Sequence, residues 1–268
     1  MKRRGLFYFQ LGFTLLVCAF LIVPMILSIM AGLTVNYFVG IESGLTLRWV
    51  MEVWNGYRDT IFLSIGLSLA CLAATLVLGI PAAYVLAKRQ NALTRAIEEL
   101  LVMPVAVPGL ATALALIVTY GTLSGFRTSW AFILVGHVLF TLPFMVRSVL
   151  AVLMAIDLKT LEEGAASLGA GFWERFRDIV LPNCRQGILA GSLMVVTLSM
   201  GEFNMTWLLH TPFTKTLPVG LADAYASLRL EVGSAYTLVF FVMIMPLLLA
   251  MQAFAKPRPV KFVAEETE

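Results

Sequence analysis

Charge is what this sequence has little of. Asp, Glu, Lys and Arg make up 13% of its 268 residues, about half the share of an ordinary soluble domain. With 60% hydrophobic residues and a mean hydropathy of +0.90, the composition excludes a soluble globule. Cysteine is scarce and scattered: Cys18, Cys71 and Cys184 offer neither a disulfide framework nor metal-ligand spacing. With only two histidines, no HExxH-like pair and no Ser/Lys arrangement at membrane depth, an intramembrane enzyme has no constellation to stand on. A net charge of +3 is too small to suggest nucleic acid.

What is present is long apolar runs, unbroken rather than alternating, which point to membrane-spanning helices and not to a barrel. The first follows Lys2, Arg3 and Arg4 and runs from Leu11 to about Val35. It is too long for a signal peptide, and no small-x-small cleavage site follows it. Five more are expected over Thr60–Ala87, Leu100–Tyr120, Trp130–Ile156, Gln186–Leu209 and Gly233–Ala255. Each is near or above the ~20 residues that cross a ~30 Å hydrocarbon core.

Basic residues set the orientation. The segments holding Lys88, Arg89, Lys159, Arg175 and Arg185 carry thirteen Lys and Arg, the opposite segments five, and Arg147 lies inside a span. The richer side should be cytoplasmic. The reading is therefore an all-α membrane protein with both termini in the cytoplasm. Residues 1–9 form the N-terminus, 10–255 the six-helix domain with a cytoplasmic loop at 157–185, and 256–268 a disordered cytoplasmic tail. On the other side, 36–59 reads as an ordinary connecting loop or as one whose Trp49, Trp54 and Tyr57 are interfacial anchors, and 210–232 reads as a structured loop or a short re-entrant piece.

The polar stretch Asp157–Pro182 between two apolar runs divides in two. Thr160 and Glu163 have capping-box spacing, and a helix begun there would end at Gly169, where glycine permits a left-handed cap. Its small side chains leave the backbone open to a partner. In the second half, Phe172, Trp173, Phe176, Ile179 and Val180 fall within about 120° of arc at helical spacing, which describes an interfacial helix ended by Leu181-Pro182.

Glu163, one small residue, Ala165, Gly169, Ile179, Leu181 and Pro182 together resemble the EAA loop of binding-protein-dependent ABC-importer permeases of the type I fold. The departure is Gly164, where the family usually has alanine. Glycine lowers local helix propensity by about 0.8–1 kcal/mol. The resemblance implies a permease subunit that forms a solute pathway by alternating access and holds no catalytic site or cofactor of its own. It implies four kinds of contact: a second permease copy or relative, two cytoplasmic ATPases that use ATP and Mg, a periplasmic solute-binding protein, and the bilayer of a bacterial inner membrane. It also implies that Thr160, Glu163, Ala165, Ala166, Leu168, Gly169, Leu181 and Pro182 belong to the ATPase-coupling element. A stand-alone secondary transporter or channel is the alternative, and it would leave the spacing agreement a coincidence.

Polar groups and helix breakers at depth are the candidates for the pathway. Pro104 and Pro108 should kink or open the third span, and Gly79 and Pro81 read either as hinges or as plain kinks in the second. Glu202 lies about 24 Å from the cytoplasmic end of the fifth span, with Asn204 just beyond, and reads either as pathway or gate lining or as a structural hydrogen-bonding group. The surrounding Gly-Glu-Phe and the later Thr216-Leu217-Pro218 resemble the branch of permeases for polyamines, sulfate, molybdate, thiamine, ferric iron and aminoethylphosphonate. Arg147 either faces the bundle or snorkels toward headgroups, and His137 reads as a satisfied packing residue.

Overall fold

The computed structural model describes residues 2–255, with side chains for 6–253; the expected tail over 256–268 lies outside the described residues, as do the side chains of Lys2, Arg3 and Arg4. Within them the chain is helical, and the extended structure is a lone antiparallel bridge between Thr34 and Leu45. In order the helices are α1 Lys2–Ala31, α2 Arg48–Lys88, α3 Ala92–Ala106, α4 Gly109–Tyr120, α5 Ser124–Arg127, α6 Trp130–Met154, α7 Leu158–Ser167, α8 Phe172–Arg175, α9 Leu181–Asn183, α10 Arg185–Gly201, α11 Asn204–Leu209, α12 Leu217–Ala226 and α13 Leu230–Ala255.

Among the described residues, four helices are long and apolar enough to cross a membrane, in α1, α2, α6 and α13. The third expected span is broken between α3 and α4, and the fifth, Gln186–Leu209, is interrupted after Gly201, with a further bend just ahead of it. α3 and α4 meet at 102°, and the helical stretch Phe172–Asn183 meets α10 at 68°; counting each bent pair as one crossing gives six. The first break has a local cause. Val107 precedes Pro108, whose ring excludes the helical region for its neighbour, and Val107 sits extended at φ −86°, ψ 131°. Pro104, expected to share in the kink, lies inside α3 instead.

α2 corrects a boundary. The loop expected over 36–59 is helical from Arg48 onward and runs into the second span through one non-helical residue, Tyr57 (φ −136°, ψ 16°). Trp49 is not a free anchor, because its indole N–H donates to the Thr34 carbonyl at 2.9 Å.

The chain forms two compact units. The first takes in Met1–Leu67, Ala113–Ile133 and Gly201–Met243. Its core gathers Val53, Ile61, Leu217, Ala224, Val232, Ala235 and Tyr236. The 210–232 stretch is structured, as expected, around α12. It is pinned to α2 where Ser64 Oγ accepts from the Leu217 amide at 2.7 Å, and where Arg229 reaches Tyr57 OH at 2.8 Å and the Glu52 carboxylate.

Among the described residues, the second unit takes in Ser68–Thr112, Leu134–Met200 and the stretch from Ile244 onward. Small residues let its helices approach closely. A Cβ on Gly187 would stand 2.5 Å from the Ser148 carbonyl oxygen, and one on Gly191 would meet the Met145 sulfur at 2.8 Å. Buried polar groups there are paired: His137 Nδ1 and Ser199 Oγ share a hydrogen bond of 2.8 Å, as the packing reading of His137 required. The core of this unit extends past the spans to Leu158 and Val180, and so includes the polar loop.

Candidate functional site

The polar loop starts earlier than its sequence suggests. Asp157, not Thr160, caps α7: its carboxylate accepts from the Thr160 amide at 3.2 Å and from the Thr160 hydroxyl at 2.7 Å. Those bonds, the hydroxyl's first, hold the Asp157 carboxyl below the usual carboxylate range. Starting at Leu158 places that side chain in the core of the second unit, which a start at Thr160 would leave outside the helix. Glu163 therefore makes no capping box and stands exposed, 3.9 Å from Lys159.

α7 ends as expected. The Gly169 amide donates to Ala166 O at 2.9 Å and the Ala170 amide to Ala165 O at 3.0 Å, the paired bonds of a Schellman cap. Gly169 has φ +91°, where a side chain would be strained.

One face of α7 is held and the other is open. Leu158 and Glu162, one turn apart, face inward, and Glu162 is 4% exposed. Its carboxylate accepts from Tyr84 OH at 2.6 Å and pairs with Lys88 Nζ at 2.9 Å; Lys88 also donates to Tyr84 OH at 3.0 Å. Burial disfavours ionisation of Glu162, yet the bonds from Tyr84 and Lys88 outweigh it and hold the carboxyl below its ordinary value. Both partners lie in the last turns of α2, so Glu162 clamps α7 to the end of a membrane helix.

The next segment grips the same place. The rings of Phe172 and Phe176 meet Tyr84 edge-on at 6.2 and 5.6 Å. The expected single helix over 172–180 changes pitch instead: Phe176–Val180 is one π turn, closed by the Leu181 amide on Phe176 O. Pro182 has no N–H to continue the α pattern, which is the local reason for the wider turn. Leu181 is half-buried and Pro182 exposed.

On the open face, Leu161 is exposed and Leu168 is 91% exposed. Ala165 is half-buried, Ala166 exposed, and a Cβ added to Gly164 would meet nothing within 4 Å. An apolar stripe at 161, 165 and 168, with small residues beside it, is left largely uncovered among the described residues.

The pathway candidates separate between the two units. Glu202 and Asn204 come together in the first, at the break between α10 and α11. The Glu202 carboxylate accepts from the Met205 and Thr206 amides at 2.8 and 2.9 Å and from the Thr206 hydroxyl at 2.7 Å, so it caps α11. Asn204 is exposed in the first turn of α11. In the second unit, Pro104 is half-buried and Pro108 exposed at the α3–α4 break. Arg147 is exposed and lines a cavity of about 400 Å³ with Gln90, Thr94, Arg95 and Glu98.

Sequence reasoning missed Glu162, Tyr84 and Lys88. The one signal available was the spacing of Leu158 and Glu162, which puts that carboxylate, and not its neighbour, on the apolar side of the helix.

Residues 76–256, about two thirds of the chain, match the model of the family described as binding-protein-dependent transport system inner membrane component. A permease protein of Salmonella typhimurium, PhnV, whose name assigns it to a 2-aminoethylphosphonate transport system, is 25% identical over 91% of this chain and 92% of its own. The putrescine transport system permease protein PotI of Escherichia coli is 30% identical over 83% of this chain and 79% of its own. Among solved structures, a bacterial ABC transporter involved in the import of the acidic polysaccharide alginate has a chain of like fold. Its TM-score is 0.73 at 18% identity, with 95% of this chain and 96% of that one covered. The chain belongs to the binding-protein-dependent transport system inner membrane components, and it is a permease subunit of an ABC importer.

Proposed function

We propose that α7 is the coupling helix of this permease and that its open face, Leu161, Ala165, Leu168 and Gly169, seats in a groove of a cytoplasmic ABC ATPase. The observation that carries this is the contrast between its faces: Leu168 is 91% exposed while Glu162, on the same helix, is 4% exposed. A solvated loop has no physical reason to present an uncovered leucine beside a helix clamped this firmly. Thr160 and Asp157 keep the helix start in register, Glu163 offers a charge at the rim, and Leu181-Pro182 link the segment to α10.

In this reading the 157–185 loop, the N-terminus and the tail face the cytoplasm of a bacterial inner membrane. Two ATPases bind ATP and Mg; this chain supplies neither a catalytic site nor a cofactor site. Their closure pushes α7, and the Glu162 clamp passes the displacement to α2, opening a pathway between this permease and a second copy or relative. Pro108 and the Glu202 break give the third and fifth spans their joints, and Asn204 and Pro104 lie beside those joints. A periplasmic binding protein delivers the solute. Since relatives are named for 2-aminoethylphosphonate, sulfate and putrescine transport, we assign a small charged solute.

Leu168→Asp tests the docking face without touching the clamp. The variant should fold as the wild type does, run as a single species in detergent, and lose co-purification with its ATPase. Unchanged co-purification and unchanged solute-stimulated hydrolysis would sink the docking role.

A further inference from the structure

Two cavities of the second unit follow one another along the same helices. The first, about 400 Å³, lies beside the polar turn between α2 and α3 and is lined by Gln90, Arg95 and Glu98 on one side and Arg147, Leu150 and Met154 on the other. The second, about 590 Å³, is a groove between the next turns of α3 and α6, lined by Ile97, Leu100, Pro104, Val135, Leu139 and Pro143. Along α6, Arg147 is followed within one turn by Pro143; along α3, Arg95 and Glu98 are followed by Ile97, Leu100 and Pro104. A charged chamber thus lies one to two turns along these helices from an apolar slot, in the direction that runs from membrane surface to membrane interior.

The charges in the chamber do not cancel. Arg95 and Arg147 are exposed, and neither has an acidic partner within ion-pair distance among the described residues. Two guanidiniums against the single carboxylate of Glu98 leave one positive charge. Arg147 stands seven residues from the end of α6, roughly 10 Å inside, where an unpaired cation in hydrocarbon is costly and calls for an anion or water. The slot between Pro143 and Leu134 spans about 14 Å of helix, close to the ~15 Å thickness of one hydrocarbon leaflet.

We propose that the chamber and the slot bind one acidic phospholipid of the phosphatidylglycerol type. Its phosphodiester sits between Arg95 and Arg147, its headgroup hydroxyls donate to Glu98, and one acyl chain fills the groove of α3 and α6. The single negative charge of the phosphodiester matches the net charge of the chamber, and the hydroxyls give Glu98 a donor that a choline headgroup lacks. This gives Arg147 a lipid-facing role in place of pathway lining. It rests on the chain's spanning a membrane and is independent of the coupling role of α7.

The test uses the full chain purified in detergent, titrated with phosphatidylglycerol, phosphatidylcholine and inorganic phosphate, with bound lipid read by native mass spectrometry and stability by thermal melting. Phosphatidylglycerol should be retained and should raise the melting temperature; phosphatidylcholine and inorganic phosphate should do neither. The double variant Arg95→Gln, Arg147→Gln should bind phosphatidylglycerol about thirty-fold more weakly, and Leu139→Trp, which fills the groove, should weaken it with both arginines intact. Equal retention of the two lipids would overturn the proposal, as would displacement of phosphatidylglycerol by inorganic phosphate, which marks a soluble-anion site. Cross-linking between two copies through a cysteine placed at position 139 would also overturn it, because the groove would then hold a second permease. Should the double variant fail to fold, the lipid selectivity of the wild type decides alone.

Discussion

Two carboxylates, Glu202 at a helix boundary and Glu162 in mid-helix, do different jobs. At the α10–α11 break, Glu202 accepts hydrogen bonds from Met205 and Thr206 in the turn that follows it. In the polar loop, Glu162 takes its bonds from Tyr84 and Lys88, more than seventy residues away in sequence. The first caps the helix that follows it, and its removal should fray that helix. The second is a tertiary clamp, and its removal should release a whole segment from the end of α2. The lesson concerns where force can pass: a cap holds its own turn, while a clamp ties a solvent-facing element to a membrane helix.

The largest effect should come from breaking the clamp. Glu162→Leu leaves Lys88 and Tyr84 without their acceptor. Because the Lys88 side chain is 46% exposed, the loss should fall below the 3–5 kcal/mol of a fully buried pair, at about 2–3 kcal/mol. Thermal unfolding of the purified chain measures it. Glu202→Ala removes the cap of α11, worth about 1–2 kcal/mol as for other lost N-caps, and should raise protease sensitivity at 204–209. Unchanged protease sensitivity at 204–209 in Glu202→Ala would contradict the cap.

pH separates the clamp from its absence. Glu162 has its carboxyl held below the ordinary value of 4.5, so its contribution is complete above that value and fades as pH falls through the lower, folded value. Melting temperature of the wild type should therefore fall more steeply than that of Glu162→Gln as pH drops below about 4.5. Parallel curves would show that the carboxylate carries no such stabilisation.

The smallest effect belongs to the open face. Since a Cβ at Gly164 meets nothing, Gly164→Ala should stabilise α7 by up to about 1 kcal/mol. It should slow amide exchange in α7 without weakening ATPase binding. Weaker binding would show instead that the partner needs the bare backbone there.

Much of this was legible in the sequence, for identifiable reasons. Hydropathy located the apolar runs because lipid demands unbroken apolar length, and Gly169 announced its left-handed cap because few other residues tolerate it. Pro108 announced a break, though not the 102° turn that followed. The Arg48–Asp59 extension of α2 was hidden by its polar residues, whose helix is held by tertiary bonds such as Arg229 to Tyr57. Asp157 and Thr160 are both good caps, and only the burial of Leu158 chooses between them. Glu162 and Glu163 are likewise the same residue type in adjacent positions. The resemblance pointed to Glu163, and the packing of α7 on Tyr84 assigns the buried role to Glu162.

The most direct measurement sets hydrolysis against transport in proteoliposomes holding the assembled importer and its solute-binding protein. With Glu162→Gln, ATP hydrolysis should persist while solute taken up per ATP falls well below the wild-type ratio, because α7 still docks but pulls less firmly on α2. An uptake-to-hydrolysis ratio equal to that of the wild type would contradict the clamp as the link between the ATPase and the membrane helices.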